Sequence, residues 1–298
     1  MAGLLAGQVA FVTGGGRGIG RGIAQQFAGE GASVAVMARS QDQIAETVAL
    51  VEKAGARGIA VTGDVTVQAD VERAMAETEQ RLGPINILVS NAGITGPFAP
   101  ITEADPDEWW RTQEVHLRGA FLCSRTVLPG MIQRGGGRII IISSRAAERG
   151  GPNFSGYQIA KASQLRLTES IAAEGADKGI RAFVLHPGLV DTQFTDDALG
   201  RSDAQKYAPQ FIARLNTLRD NPASGNPMSQ VTSLCVFLAS GQGDGLSGRY
   251  ISVDDDVAEL ARNAQKIQEE DLYTLRLRTL NYVAAGHEAG GAPGGRVH

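Results

Sequence analysis

The sequence predicts a doubly wound α/β fold, in which helices flank a seven-stranded parallel sheet. Short runs of β-branched residues alternate with helix-length amphipathic segments, as they do in successive βαβ units. The strand candidates are continuous hydrophobic runs, which is typical of strands covered on both faces. The chain has 298 residues, of which 43% are hydrophobic, and this is enough for one large core.

The predicted elements follow one another at regular spacing. Strands are predicted at residues 8–14, 32–39, 58–65, 85–93, 137–144, 180–188 and 248–254. Helices are predicted at residues 18–30, 41–54, 67–82, 107–134, 157–178 and 228–239. Ligands are expected beyond the carboxyl ends of such strands.

The domain organisation follows from the same pattern. Residues 1–254 form one predicted domain, and residues 191–227 form a substrate-loop insert within it. The charged stretch 255–282 predicts a helical extension. Residues 283–298 are rich in glycine and alanine and poor in side chains that can pack, so they predict disorder.

Composition and charge exclude several classes of function. The formal net charge is −4 and no run of Lys or Arg occurs, which argues against nucleic-acid and anionic-membrane partners. The N-terminus lacks the basic flank of a signal peptide, and the apolar runs are too short to span a bilayer. Cys123 and Cys235 lie in apolar segments, which predicts free thiols in a reducing cytoplasm. We find no metal-ligand spacing.

The stretch "TGGGRGIG", residues 13–20, lies between the first predicted strand and the first predicted helix. Glycines allow the backbone to approach a pyrophosphate, and a helix N-terminus offers free N–H groups and partial positive charge. A structural turn is the alternative, but strand, glycines and helix in this order favour a dinucleotide. The predicted cofactor-binding residues here are Gly14, Gly16, Arg17, Gly18, Ile19 and Gly20.

The end of the second predicted strand indicates which dinucleotide is preferred. A site for NAD usually offers a carboxylate there for the ribose 2′-hydroxyl, but this chain reads "MARS", with Arg39 and Ser40. Arg17 and Arg39 suit a 2′-phosphate, so NADP(H) is predicted over NAD(H). The alternative is that both arginines are simply solvated.

The stretch "SGYQIAKAS" places Tyr157 and Lys161 four residues apart near the start of a predicted helix. A nearby ammonium favours the phenolate and lowers the pKa of a tyrosine. The pair alone is typical of any wet helix face. Ser144, at the end of a predicted strand, makes a site at the ligand crevice the better interpretation.

Taken in order and with their separations, these motifs resemble those of the classical short-chain dehydrogenase/reductase family. The resemblance covers residues 7–254 and implies a Rossmann-like fold. It implies that Tyr157 is the acid/base, that Ser144 orients the substrate oxygen, and that Lys161 lowers the tyrosine pKa and binds the nicotinamide ribose. It also implies a homodimer or homotetramer through helices 107–134 and 157–178.

The same resemblance implies further cofactor contacts. Asp64 and Val65 are expected near the adenine, and "NAG", Asn91 to Gly93 with Ala92 between them, near the cofactor ribose. The segment "HPGLVDT" is expected beside the nicotinamide through Pro187, Gly188, Val190 and Thr192.

Two features depart from the family pattern. His116, in "EVHLRGAF", stands where the family usually has a catalytic asparagine. The resemblance favours a supporting role in a proton relay, because imidazole exchanges protons near neutrality, and the alternative is a core-filling histidine. The second departure is the last strand, after which Asp255 and Asp256 replace the usual glycines and the chain continues.

The predicted function is NADP(H)-dependent interconversion of a secondary alcohol and a ketone, or of an aldehyde and its alcohol. The alternatives are a dehydratase or epimerase of the same fold and a non-catalytic NADP-binding regulator. Arg145, Arg149 and Phe154 are candidates for substrate contact, but the sequence by itself does not predict an acidic ligand from them.

Overall fold

The computed structural model describes residues 3–277. Seven parallel strands form one sheet in the order β3-β2-β1-β4-β5-β6-β7, which confirms the predicted doubly wound fold. The strands are β1 (Val9–Thr13), β2 (Ser33–Ala38), β3 (Gly58–Thr62), β4 (Ile87–Ser90), β5 (Gly137–Ile142), β6 (Ile180–His186) and β7 (Tyr250–Ser252). The strand order reverses between β1 and β4, and a ligand crevice is expected at such a reversal.

Helices cover both faces of the sheet. In chain order they are α1 (Gly18–Gly29), α2 (Gln41–Lys53), α3 (Gln68–Leu82), α4 (Pro106–Gln113), α5 (Gly119–Gln133), α6 (Ser155–Gly175), α7 (Gln193–Leu199), α8 (Ser202–Tyr207), α9 (Pro209–Asp220), α10 (Met228–Ala239), α11 (Val257–Arg262) and α12 (Ala264–Glu269). The core is correspondingly double, because side chains alternate between the two faces of each strand. On β5, Ile140 packs on the face that holds Phe27, and Ile141 packs on the face that holds Met131.

The helix predicted over residues 107–134 is present, but it contains an irregular turn. The structure divides it into α4, a π-helical turn at Glu114–Arg118, and α5. In that turn the Gly119 N–H donates to the Glu114 carbonyl, five residues earlier. No proline or glycine precedes the break, so the sequence does not reveal it. The turn frees the His116 carbonyl, which accepts a hydrogen bond from Nε2 of Gln164 on α6, at 3.0 Å.

The predicted insert 191–227 contains the three short helices α7, α8 and α9. These helices have their own apolar cluster, in which Ala198, Ala204 and Ile212 pack around Phe98 from the segment after β4. Arg201 joins the insert to α4 by an ion pair with Glu108. The insert is therefore a packed helical cover attached beside the sheet.

Within its described part, residues 255–277, the predicted extension has two helices, α11 and α12. Asp256 caps α11 by accepting hydrogen bonds from Ala258 N and Glu259 N, which explains an aspartate at this position. The next residues return to the sheet, where the Tyr250 N–H donates to the Tyr273 carbonyl at 3.0 Å. The predicted disordered tail, 283–298, lies outside the described residues.

Arg249 anchors this extension to the main domain. Its side chain is 8% exposed, and it pairs with Asp271 at 3.1 Å and donates to Gln268 at 2.5 Å. Breaking a buried ion pair costs more than breaking a surface pair, because one charge stays buried without its partner.

We expect Asp271→Ala to lower the free energy of unfolding by about 2 to 3 kcal/mol, because it strands the buried guanidinium of Arg249. Glu270→Ala is the matched control, since Glu270 meets only exposed Lys266, at 4.0 Å. It should change that free energy by less than about 0.5 kcal/mol. Urea unfolding monitored by circular dichroism measures both, and equal losses in the two variants would contradict the anchoring role.

Candidate active site

A cavity of about 800 Å³ lies along the carboxyl ends of the strands, between the glycine segment and the helical insert. All but one of the predicted site residues line it. The exception is Gly20, which is buried beneath the glycine segment: a Cβ there would lie 2.5 Å from the Gly14 carbonyl oxygen. The other glycines of the segment therefore reach the cavity because α1 packs so closely under them.

Two residues that the sequence analysis missed fix the shape of the glycine segment. Arg21, in the first turn of α1, donates to the Gly16 carbonyl oxygen through Nε at 3.0 Å, and to the Gln43 carbonyl oxygen at 3.2 Å. Thr47 on α2 donates to the Gly15 carbonyl oxygen at 2.9 Å. These bonds tie the segment to α2. Neither residue belongs to a recognisable motif, so only the packing of α1 against α2 reveals them.

Asn91, just after β4, joins the two strands at which the strand order reverses. Its Nδ2 donates to the carbonyl oxygens of Thr13 and Gly14, each at 3.1 Å. In return, Thr13 Oγ1 accepts hydrogen bonds from Asn91 N at 3.0 Å and from Ala92 N at 3.2 Å. The amide nitrogen of the side chain predicted to lie near the cofactor ribose thus joins the end of β1 to the segment after β4.

The two arginines predicted to bind a 2′-phosphate differ in their surroundings. Arg17 forms an ion pair at 2.6 Å with Asp197 on α7, and both side chains are almost half exposed. Arg39 lines the same cavity and pairs with no carboxylate among residues 3–277. Ser40 lies beside it at the start of α2. Of these two arginines, Arg39 is therefore the one that is available to bind an anion.

Asp64 and Val65, predicted to lie near the adenine, line the cavity after β3. Burial pushes the pKa of Asp64 upward, but hydrogen bonds from Thr66 and Arg111 outweigh it and hold that pKa below its usual value. Arg111 on α4 makes its bond to Asp64 at 2.7 Å. The carboxylate is thus ionised and already paired.

Ser144, Tyr157 and Lys161 come together at the end of β5. Helix α6 carries Tyr157 and Lys161 on the face that packs against this strand, and both are buried, with exposures of 8% and 4%. Lys161 Nζ lies 5.4 Å from the centroid of the Tyr157 ring and donates to the Ile142 carbonyl oxygen at 2.8 Å. Ser144 follows β5 by two residues and reaches the Tyr157 hydroxyl.

The sequence predicts that Lys161 lowers the pKa of Tyr157, but in the structure that pKa is raised. Burial raises the pKa of Tyr157 to about 12, although the hydrogen bond with Ser144 opposes the rise. Burial also lowers the pKa of Lys161 to about 7, so at neutral pH the lysine carries only part of its positive charge. The Lys161 ammonium therefore stabilises the Tyr157 phenolate only a little. Tyr157 is a protonated phenol at neutral pH.

His116 lies beside this group, on the π-helical turn. Its ring meets the Tyr157 ring edge-on with centroids 5.4 Å apart, and its Nε2 lies 2.8 Å from the Ile94 carbonyl oxygen. Gly93 leaves room for it, since a Cβ there would lie 2.6 Å from His116 Cε1. Nδ1 is buried and has no hydrogen-bond partner among residues 3–277.

The titration expected for His116 is shifted by its surroundings. Burial, and then the charge of Lys161, lower the pKa of His116 well below its usual value. The ring is therefore neutral at physiological pH, and its Nε2 faces both the Ile94 carbonyl oxygen at 2.8 Å and the Ile94 N–H at 3.2 Å. Any part that it takes in proton movement is that of a neutral hydrogen-bonding group, not of an imidazolium.

The segment after β6 brings Pro187, Gly188, Val190 and Thr192 to the cavity, as predicted. Asn226, which the sequence analysis did not single out, holds this segment: its Oδ1 accepts a hydrogen bond from Leu189 N, and its Nδ2 donates to Asp254, both at 3.0 Å. His186 precedes the segment. Burial and then the Arg145 charge lower its pKa to about 4, so it is neutral, and its Nδ1 accepts a hydrogen bond from Arg145 N.

An aromatic wall closes the end of the cavity away from the glycine segment. The Phe154 ring stacks on the Tyr157 ring, with centroids 4.7 Å apart, and lies 6.1 Å from the Phe211 ring of α9. Phe194 of α7 lies 5.8 Å from Tyr157. The insert therefore supplies apolar surface directly beside the Tyr157 hydroxyl.

A family model described as short chain dehydrogenase matches residues 8–201. The chain belongs to the short chain dehydrogenase family. This confirms the resemblance read from the motifs, and it makes the protein an oxidoreductase of a family that uses nicotinamide dinucleotides. Within residues 3–277 this dehydrogenase has no cluster of His, Cys, Asp and Glu suited to a metal, and no helix long and apolar enough to cross a membrane.

Relatives of this short chain dehydrogenase span most of its length. The short chain dehydrogenase mpl6 of Monascus purpureus is 35% identical over 278 residues, which are 91% of this chain and 89% of the relative. A 2-dehydro-3-deoxy-L-rhamnonate dehydrogenase (NAD(+)) of Sphingomonas is 36% identical and covers 65% of this chain and 77% of its own. A gluconate 5-dehydrogenase from Burkholderia cenocepacia, solved with NADP and tartrate, has a TM-score of 0.73 and 31% identity, covering 86% of this chain and 96% of its own.

Proposed function

We propose that this dehydrogenase interconverts a secondary alcohol and a ketone, or an aldehyde and its alcohol, with NADP(H) as cofactor. The observation that carries the proposal is the convergence of Ser144, Tyr157 and Lys161 at the end of β5, in the same cavity as the glycine segment. A non-catalytic regulator has no use for two buried ionisable groups with strongly shifted pKa values.

The proposed roles follow from the geometry. When bound, the cofactor supplies the hydride to a carbonyl carbon or accepts it from an alcohol. Tyr157 gives its proton to the carbonyl oxygen in reduction and takes the alcohol proton in oxidation. Ser144, which contacts the Tyr157 hydroxyl, holds the same oxygen. Lys161, whose Nζ lies 5.4 Å from the centroid of the Tyr157 ring, would bind the nicotinamide ribose, as the family resemblance implies.

The cofactor would lie along the row of strand ends. The N-terminus of α1 and the glycine segment would hold the pyrophosphate, and Arg39 the 2′-phosphate. Asp64 and Val65 would flank the adenine, and the segment after β6 the nicotinamide. The gluconate 5-dehydrogenase was solved with NADP, whereas the rhamnonate relative is named for NAD(+), so the preference of this chain rests on its own residues.

Assembly and location remain predictions. Trp110, Phe121 and Ile159 are large apolar side chains that are about half exposed or more, and they lie on α4, α5 and α6. Such surface suits the homodimer or homotetramer expected through these helices. A cytoplasmic location is expected from the two buried free thiols.

The first test is NADPH oxidation on a panel of ketones and aldehydes, with Tyr157→Phe as the variant. Removing the hydroxyl deletes the proton donor but leaves every phosphate contact in place, so we expect kcat to fall by at least about a thousandfold. NADPH binding, followed by fluorescence, should stay within about twofold. Near-native turnover in the variant would refute the assigned role.

The pH dependence gives a second test of Tyr157. Oxidation needs the phenolate, and a pKa of about 12 means that its population grows about tenfold per pH unit throughout the neutral range. We expect kcat/KM for alcohol oxidation to climb from pH 7 to pH 10 without a plateau. Reduction uses the protonated phenol and should show no such rise. An oxidation rate that levels off near pH 7 would show a phenolate already formed there.

The cofactor preference is tested at Arg39. A hydrogen bond to a charged group contributes about 1.5 to 3 kcal/mol, so Arg39→Ala should raise KM for NADPH by about 10- to 100-fold. KM for NADH should change by less than about threefold, because NADH has no 2′-phosphate. Arg57→Ala is the control, since Arg57 contacts the Arg81 carbonyl outside the cavity. Equal effects on both cofactors would show that Arg39 does not read the phosphate.

The relay role of His116 remains a prediction with its own test. We expect His116→Asn to keep much of the activity, because an amide also donates and accepts hydrogen bonds. His116→Leu should lose more than tenfold in kcat with little change in NADPH affinity. If His116→Leu folds normally and turns over like the parent from pH 6 to pH 9, His116 fills the core and nothing more.

A further inference from the structure

The cavity is strongly cationic, although the chain as a whole has a formal net charge of −4. Of the charged side chains that line it, seven are basic and two are acidic: Arg17, Arg39, Arg111, Arg145, Arg149, Lys161 and Arg214, against Asp64 and Asp254. A cleft lined by one sign of charge concentrates ligands of the opposite sign. The cofactor accounts for the basic groups near the glycine segment, so the remaining ones need another explanation.

Three of these six arginines already have a carboxylate partner, and Arg39 is expected to bind the cofactor. Arg17 pairs with Asp197, Arg111 pairs with Asp64, and Arg145 pairs with Asp254 at 3.1 Å. Arg149 and Arg214 are different. Neither makes an ion pair or a side-chain hydrogen bond with any residue from 3 to 277, although both line the cavity. Two guanidinium groups there are thus free to bind a ligand.

Neither free arginine belongs to the segments expected to hold the cofactor. Arg149 belongs to the segment between Ser144 and α6, five residues before Phe154. Arg214 lies one helical turn after Phe211 on α9, so these two side chains share the face of α9 that lines the cavity. The two arginines therefore line the cavity from the β5–α6 segment and from the insert, the same two segments that supply Phe154 and Phe211.

We propose that Arg149 and Arg214 bind an anionic group of the substrate, a carboxylate or an equivalent acid, at the end remote from the reacting carbonyl. The body of that substrate packs on Phe154 and Phe211. A guanidinium presents paired N–H donors that match the two oxygens of an acid, and such bonds are stronger than neutral ones. This inference rests on the proposed redox function, because it names the class of substrate for that site.

The test compares acids with their neutral esters. The probes are 4-oxopentanoate and 4-oxo-4-phenylbutanoate, each beside its methyl ester, in NADPH-dependent reduction. We expect the parent to favour each acid over its ester by at least about tenfold in kcat/KM. Arg149→Gln and Arg214→Gln should each lower the acid-to-ester ratio of kcat/KM by most of that factor. Arg262→Gln is the control, since Arg262 is an exposed arginine on α11 that does not line the cavity.

Binding is measured separately from turnover, by titration calorimetry of the four probes into the protein with NADP+, which permits no reduction. Acid binding should weaken about tenfold in either variant, and in the parent it should weaken as KCl rises from 50 to 500 mM, because salt screens charge. Equal binding of acids and esters by the parent, or equal losses in Arg262→Gln, overturns the proposal. If acids bind selectively but no probe is ever reduced, the anion site stands and the proposed redox function fails.

Discussion

The hydrogen bonds between Asn91 and the end of β1 are the interaction on which the rest of the site depends. They join Thr13 and Gly14 to the strand on the other side of the reversal in strand order. The helices that follow β1 and β4 lie on opposite faces of the sheet. The loops after these two strands therefore diverge and leave a crevice between them. The amide of Asn91 satisfies the carbonyl groups that this parting exposes. Every group of the proposed mechanism is arranged along that crevice.

The second constraint is the burial of charge beside Tyr157. Lys161 is placed under the ring where water is largely excluded, and this lowers its pKa to about 7, while the same burial raises that of Tyr157 to about 12. Desolvation thus outweighs the attraction between phenolate and ammonium that simple proximity suggests. A tyrosine that stays protonated is suited to donate a proton to a carbonyl oxygen.

The neighbourhood of His116 shows how one irregular turn connects distant segments. The π-helical turn frees the His116 carbonyl for Gln164 on α6, the helix that carries Tyr157 and Lys161. The imidazole of the same residue contacts the Ile94 backbone and needs a glycine at position 93. Such turns often occur at functional sites, because they release backbone carbonyl groups that would accept hydrogen bonds within a regular helix. Elsewhere in the cavity, the β5–α6 segment supplies Phe154 and Arg149, and the insert supplies Phe211 and Arg214.

The sequence by itself determined the fold and most of the candidate site residues, because local patterns of residues specify both. Hydrophobic runs of strand length, spaced by amphipathic helices, specify a parallel sheet, and strand ends then share one edge. The motifs at Gly14, Ser144 and Tyr157 therefore had to lie near one another. The missed residues, Arg21, Thr47 and Asn226, act through contacts between segments far apart in the chain, and no local pattern encodes them.

Only the tertiary structure decided the electrostatics. The sequence analysis expected a tyrosine of lowered pKa and a histidine that titrates near neutrality, because it counted neighbours without counting the water that burial removes. The sequence also gives Arg17 and Arg39 the same role, whereas packing pairs Arg17 with Asp197 and leaves Arg39 without a carboxylate partner among residues 3–277. Desolvation and pairing depend on which surfaces meet, and that is settled only when helices, strands and insert have packed.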